Sequence, residues 1–437
     1  MKLRRLSALA AAIGALVLFA VGNATRHDEP EEKNNPELSA VAELGRQIFF
    51  DKSLSASGEQ SCATCHSPSH AYGPPNGASV QPGGPAMKGQ GGRAVPSLRY
   101  LEHNPPFSIG PSGFIPDNDE PGTSPSPPKD GTKPASFAKN STPAGAEANV
   151  PQGGLDWDGR VDTFQDQAKG PFLDPNEMAN SSPEALLGKL QKTAYADGFR
   201  KLFGAAVFDQ PELAFSEALF ALSRFQVEDP SFHPYDSKYD EYLAGKASLT
   251  EREMRGLKLF EDPKRGNCAA CHIHKASRDG VFQPAFTDYQ FVSLGVPRNP
   301  EILANSDPRY YDLGLCGPLR KDYARVGSYC GLFKTPTLRN VATRSVFFHN
   351  GSFKSLEEVL RFYVQRETQP EKWYPKRADG SVEKYDDLPA AYRGNVDVID
   401  APFDRKRGDL PSLNDSEIAD VIEFLKTLND GFRGHKP

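Results

Sequence analysis

Two strings of the form Cys-x-x-Cys-His occur in this chain, Cys62-Ala63-Thr64-Cys65-His66 and Cys268-Ala269-Ala270-Cys271-His272. Two thiols one helical turn apart can form thioethers with the two vinyl groups of one porphyrin. The adjacent imidazole then falls beneath the iron as its proximal ligand. Two covalently bound c-type haems are therefore expected, attached through Cys62, Cys65, Cys268 and Cys271, with His66 and His272 on the irons. Either string alone would also suit half of a zinc site or a thioredoxin-like dithiol. Two copies in an exported chain favour haem.

Export is read from the first residues, where Lys2, Arg4 and Arg5 precede an apolar run from about Leu9 to Val21 that ends in small residues near Ala24. Residues 1–25 are expected to be a signal peptide or, less favoured, an uncleaved N-terminal anchor, and the mature protein is expected in the periplasm. That segment is the one expected contact with a membrane, since no later run is apolar for long enough to cross a bilayer. Of the six cysteines, Cys316 and Cys330 remain outside the two strings. In an oxidising compartment they are expected to close a short loop as a disulfide, with a metal-binding or redox role as the alternative.

The elements that must position these groups form a weak internal repeat. Ahead of the first string, Gly45-Arg46-Gln47-Ile48-Phe49 ends an apolar-faced helix; ahead of the second, Gly256-Leu257-Lys258-Leu259-Phe260 repeats the pattern. Thr250 and Glu253 form a capping box at the start of the second helix. Each half closes with an amphipathic helix, through Leu213, Ala214, Ala218, Leu222 and Phe225 and through Ile418, Val421, Ile422, Leu425 and Leu428. Helix, haem string and terminal helix predict a mostly α protein of two cytochrome c-like domains, residues 36–235 and 236–437. The boundary is expected where Pro230, His233 and Pro234 interrupt the helical pattern. Proline and glycine number 38 each and concentrate between about 105 and 154 (Pro111, Pro116, Pro121, Pro125, Pro127, Pro128), where no apolar period supports helix or strand. This stretch reads as a long insertion in the first domain. A net charge of −6 argues against nucleic acid as a partner.

At this point the residues carry a resemblance. The chain is similar to the bacterial di-haem cytochrome c peroxidases and their MauG-like relatives. The likeness rests on both haem strings, on Trp157-Asp158-Gly159-Arg160, on Pro175-Asn176-Glu177-Met178, and on Phe333-Lys334-Thr335-Pro336-Thr337-Leu338-Arg339-Asn340 followed by Phe348-His349-Asn350-Gly351. The resemblance implies that the N-terminal haem reacts with peroxide and the C-terminal haem handles electrons. It puts the family's inter-haem tryptophan at Trp157, its active-site glutamine at Gln167 and its acid/base glutamate at Glu177. Heterolysis of a peroxide needs a proton moved from the inner to the outer oxygen, which suits a carboxylate in a haem pocket. By themselves Trp157 would read as a core aromatic and Glu177 as a surface charge.

The axial ligand of the second haem is a Met in many of these peroxidases, but Met1, Met87, Met178 and Met254 all precede the second string. At the offset from His349 that the family uses for this ligand stands Tyr363, the arrangement of the MauG-like branch. A phenolate ligand lowers the potential of its haem relative to a thioether. The other readings are Tyr363 as an ordinary helix aromatic, or His349 or Met254 as ligand. Three departures from the family stand out. Neither His70 nor His103 matches the loop histidine that closes the peroxidatic haem, so that haem is expected to be open. The maturase members carry a surface tryptophan where this chain has Gly266. The interdomain calcium segment Arg-Asn-x-Pro is here Arg93-Ala94-Val95-Pro96, so calcium is not favoured, although carbonyls near Arg344 and Val346 could contribute. The expected function is a periplasmic peroxidase reducing hydrogen peroxide at the N-terminal haem. Its electrons would come from a cytochrome, a cupredoxin or a quinol. MauG-like oxidation of Trp or Tyr side chains on a partner protein is the second reading, and a non-enzymatic di-haem electron carrier the third.

Overall fold

The structure is a computed structural model and describes residues 37–111, 149–277 and 282–434. The expected signal segment and most of the Pro-rich insertion lie outside the described residues. From Glu37 on the chain forms one compact unit with two large apolar cores, one drawn from Leu44 to Phe232 and the other from Tyr239 to Leu428.

Each core is organised by a crossed helix pair. Helix α1 (Ala40–Phe50) starts where the Ser39 hydroxyl accepts a hydrogen bond from the Ala42 N–H. It buries Ala42, Leu44, Gly45, Ile48 and Phe49, the three-and-four spacing of one helical face. This face crosses α6 (Pro211–Glu228) at Ala221, and a Cβ on Gly45 would lie 1.9 Å from the Ala221 carbonyl oxygen. The second core repeats the device. Helix α8 (Glu251–Glu261), opened by the Thr250–Glu253 capping box, crosses α10 (Asp415–Lys426), and a Cβ on Gly256 would lie 2.0 Å from the Asp420 carbonyl oxygen. The phenylalanine that ends each pattern packs on the partner helix, Phe49 on Phe225 at 5.5 Å and Phe260 on Phe424 at 5.2 Å. One expectation is corrected here. Leu213, assigned to the buried face of α6, is 40% exposed, because that face runs through Ala214, Ala218, Ala221, Leu222 and Phe225 and Leu213 lies one residue out of its register.

The smaller helices α2 (Cys62–Cys65), α3 (Phe164–Leu173), α4 (Pro183–Leu190), α5 (Ala196–Phe203), α7 (Lys238–Leu243) and α9 (Leu356–Gln365) pack around these pairs. Strand is confined, among the described residues, to three two-stranded antiparallel ladders. These are β1 (Pro82–Gly83) with β2 (Gly89–Gln90), β3 (Ser108–Pro111) with β4 (Asn149–Gln152), and β5 (Phe291–Val292) with β6 (Phe333–Lys334). The second ladder corrects the reading of 105–154 as free of strand. Its short, Pro-containing strands are joined through backbone groups and carry no apolar alternation that a sequence could display. Cys316 and Cys330 are bridged, with their Cα atoms 4.9 Å apart. No described helix is long and apolar enough to cross a membrane.

Candidate active site

The two histidines of the haem strings sit in matching surroundings. His66 follows the single turn of α2, and its Nδ1 lies 3.1 Å from the Tyr72 carbonyl oxygen; His272 Nδ1 lies 2.9 Å from that of Phe286. Tyr72 and Phe286 both have a left-handed backbone, φ 53° in each. A ring nitrogen facing a carbonyl must carry the proton, which leaves Nε2 with its lone pair as the metal-binding atom. Burial pushes both imidazoles down to about 4, so both are neutral at ordinary pH. The four cysteines of the strings are unbridged, and burial raises the thiols of Cys62, Cys65 and Cys268 to about 12. Among the described residues no three His, Cys, Asp or Glu side chains converge as a metal site. This donor set, two thiols and one neutral imidazole on each turn, fits covalent haem better than zinc, which needs thiolates.

Sequence reading missed a second repeat that backs these rings. Val95-Pro96-Ser97-Leu98-Arg99 lies against His66, and Thr335-Pro336-Thr337-Leu338-Arg339 against His272, with the Pro96 and Pro336 backbones touching the respective imidazoles. Each closing arginine is anchored by a carboxylate, Arg99 by Asp430 at 2.6 Å and Arg339 by Asp240 at 2.8 Å. The signal was visible as the pattern x-Pro-(Ser/Thr)-Leu-Arg.

Trp157 is held from both halves. Its Nε1 donates to the Ala94 carbonyl at 2.8 Å, and its own carbonyl accepts from the Lys334 N–H at 2.9 Å. The adjoining Asp158 is fully buried and paired with Arg93 at 2.8 Å and Arg160 at 2.9 Å, while Arg93 also grips Asp312 with two hydrogen bonds. A cavity of about 2550 Å³, open mouth included, brings Trp157 and Gln167 of α3 to one wall system with Cys268, Cys271, His272 and Tyr363. Ala94 stands where the calcium segment would need Asn, its carbonyl engaged by Trp157, and the Val346 carbonyl accepts from Arg344 Nε at 3.2 Å.

Glu177 lies outside that cavity wall, on the side of the first string, where its charge is close enough to raise both the Cys62 and Cys65 thiols. Solvent reaches its side chain, yet protein surrounds it on most sides. Desolvation, then the negative charges of Asp174 and Asp156, push its carboxyl up to about 7 against the opposing pull of Arg160. Its backbone is pinned by the β1–β2 hairpin. The Gly84 N–H donates to the Glu177 carbonyl at 2.8 Å, and a Cβ on Gly83 would lie 2.1 Å from the Asn176 carbonyl oxygen. Glycine is what lets the hairpin lie on this segment.

Tyr363 points its chemistry at the second string. On α9, capped by Ser355, its ring is flanked by Phe348 at 6.0 Å and Phe403 at 5.4 Å. No protein hydrogen bond to its hydroxyl is found among the described residues. Burial first, then the nearby Cys271 and Cys268, push its pKa up. Of the other ligand candidates, His349 is buried and neutral, stacked on Phe333 at 3.5 Å, and Met254 packs against the second core. Gly266 has a local reason to be glycine. A Cβ there would meet the Leu259 carbonyl oxygen at 2.3 Å, so no larger residue fits without shifting the α8 backbone. His70 sits on the cavity wall with Nδ1 near the Ser67 and Ser69 hydroxyls, and His103 packs on Phe282.

The profile of the di-haem cytochrome c peroxidase family matches residues 39–248. The methylamine utilization protein MauG of Paracoccus denitrificans is 31% identical over 428 residues, covering 95% of this chain and 93% of the relative. The cytochrome c551 peroxidase of Nitrosomonas europaea is 26% identical over 362 residues, 81% of this chain and 82% of the relative. The crystal structure of the diheme peroxidase BthA from Burkholderia thailandensis superposes with a TM-score of 0.74 at 34% identity, covering 90% of this chain and 87% of that one. With a relative 31% identical over 95% of its length, the chain belongs to the di-haem cytochrome c peroxidase family and is an oxidoreductase.

Proposed function

We propose that this protein is a periplasmic peroxidase that reduces hydrogen peroxide at an N-terminal haem and stores or relays oxidising equivalents at a C-terminal haem through Trp157. The N-terminal domain, residues 36–235, would hold its haem by Cys62, Cys65 and His66. The C-terminal domain, residues 236–437, would hold its haem by Cys268, Cys271, His272 and Tyr363. The bound haems supply the redox chemistry of O–O cleavage and electron storage.

The chain's own residues supply the rest. Glu177 accepts a proton from one peroxide oxygen and returns it to the other, so that the departing oxygen leaves as water; a carboxyl held near 7 is matched to both directions of that transfer. The Gln167 amide, on the same cavity wall as Trp157, would orient a polar reactant. The hydrogen bond from Trp157 Nε1 to the Ala94 carbonyl would hold the indole for its part in coupling the two sites. Tyr363, flanked by Phe348 and Phe403, would present its phenol oxygen to the second site.

What supports this reading is the asymmetry of the two sites, a solvent-reached carboxyl beside the first string that its surroundings push up to about 7 and a half-buried phenol near the second. A non-enzymatic electron carrier has no use for the first. Oxidation of Trp or Tyr side chains on a partner protein remains the second reading, supported by the full-length likeness to a MauG protein. Peroxide turnover measured with a cytochrome, a cupredoxin and a quinol in turn tests the proposal. Turnover with none of them would leave the protein-substrate reading in its place.

A further inference from the structure

Among the described residues, arginines whose side chains are withdrawn from solvent pair with carboxylates. Arg93 has Asp312 and Asp158, Arg339 has Asp240, Arg366 has Glu367 and Arg320 has Asp322. Arg344, half-buried on the cavity wall beside Arg339, has no such partner. Its Nη2 donates to the Val95 carbonyl at 2.9 Å and its Nε to the Val346 carbonyl at 3.2 Å, and no carboxylate pairs with it among the described residues. Desolvation alone lowers its pKa, to about 10. Lys334, another cation on that wall, has Asp156 and Asp158 nearby. A guanidinium withdrawn from water without an anion is costly, and the fork of N–H donors suits a carboxylate.

The surroundings of Arg344 say where the anion belongs. Arg344 follows the second haem string in the chain and lines the cavity that also borders Cys268 and His272, yet two of its contacts belong to the side of the first string. It donates to Val95, which precedes the Pro96 whose backbone touches His66. Its Nη1 lies 3.3 Å from where a Cβ on Gly73 would be, next to the Tyr72 that holds His66. A haem carries two propionate carboxylates. Resting on the haem reading above, we infer that the Arg344 guanidinium pairs with a propionate of the haem attached at Cys62 and Cys65, so that the C-terminal half supplies the counter-charge of the N-terminal haem. Arg344 is thus a positioning residue that ties the potential of one site to the integrity of the other half.

The test is a spectroelectrochemical titration of the holoprotein, parent against Arg344→Gln and Arg344→Lys. Haem content of the parent is measured first, and fewer than two haems per chain refutes the haem reading and this inference together. With two haems present, Arg344→Gln should lower the midpoint potential of the His66-ligated haem and leave that of the other unmoved, because the lost positive charge had favoured the reduced iron. Arg344→Lys should stay near the parent. Unmoved potentials in Arg344→Gln, or a shift confined to the second haem, overturn the pairing while leaving the haem reading intact. Should Arg344→Gln fail to accumulate, Arg344→Lys decides: parental potentials support pairing by charge, and a variant that also fails to accumulate assigns Arg344 to packing alone.

Discussion

Behind each haem string the same parts recur, a glycine-crossed helix pair, a left-handed residue offering its carbonyl to the histidine Nδ1, and an x-Pro-(Ser/Thr)-Leu-Arg strip whose arginine is anchored by an aspartate. In front of the strings nothing recurs. Near the first lies Glu177, which solvent reaches and whose carboxyl its surroundings push up to about 7; near the second lies Tyr363, half-buried and flanked by Phe348 and Phe403. Acidic groups also gather at the second, where Asp288, Asp397 and Asp400 all raise the Cys271 thiol. One scaffold can therefore carry two sites whose other side chains differ in charge and in exposure.

The largest effect that would break this comparison is expected at Glu177. Glu177→Gln should retain both haems and slow peroxide turnover by about two to four orders of magnitude. The pH profile sharpens the point. The raised carboxyl must be ionised to accept a proton, so kcat/KM in the parent should rise as pH increases through about 7, and the variant should lose that limb. The stability sign is the converse: burial disfavours the ionised form, so Glu177 costs stability as pH rises from its ordinary range through 7. An unchanged rate and profile in the variant would remove Glu177 from the mechanism.

Next in size is Tyr363→Phe, which keeps the ring and removes the oxygen. The second haem should become five-coordinate or water-ligated, with covalent attachment at Cys268 and Cys271 intact. An unaltered absorption spectrum would show that another group is the ligand and that the two sites differ for a different reason.

Smaller effects address the scaffold. Cys316→Ser with Cys330→Ser should lower stability by about 3 kcal/mol, the chain-entropy value for a loop of this order, and the loss should appear as earlier thermal unfolding. If the halves are built alike, Gly45→Ala and Gly256→Ala should each cost about 1–3 kcal/mol, since a methyl at either crossing meets a backbone carbonyl near 2 Å. A cost at one and none at the other would deny that the two crossings are equivalent.

How much of this was legible beforehand follows from the range of the forces involved. The haem strings, the Thr250 capping box and the Gly-x-x-x-Phe patterns depend on residues within one or two helical turns, so spacing alone displays them. Trp157, Gln167, Glu177 and Tyr363 were reachable only through the likeness of whole blocks, because nothing local distinguishes a working tryptophan or glutamate from a structural one. The ladder inside the Pro-rich stretch escaped because backbone pairing leaves no side-chain pattern, and Leu213 was misplaced because a period of 3.6 read over a few residues leaves the edge of a face undecided. Tertiary structure alone decided the rest. The carboxyl of Glu177 is lifted by burial and by Asp156, Tyr363 is flanked by Phe403, and Arg344 reaches across to the neighbours of His66. Desolvation and Coulomb energies depend on distances between residues far apart in the chain, and folding sets those distances.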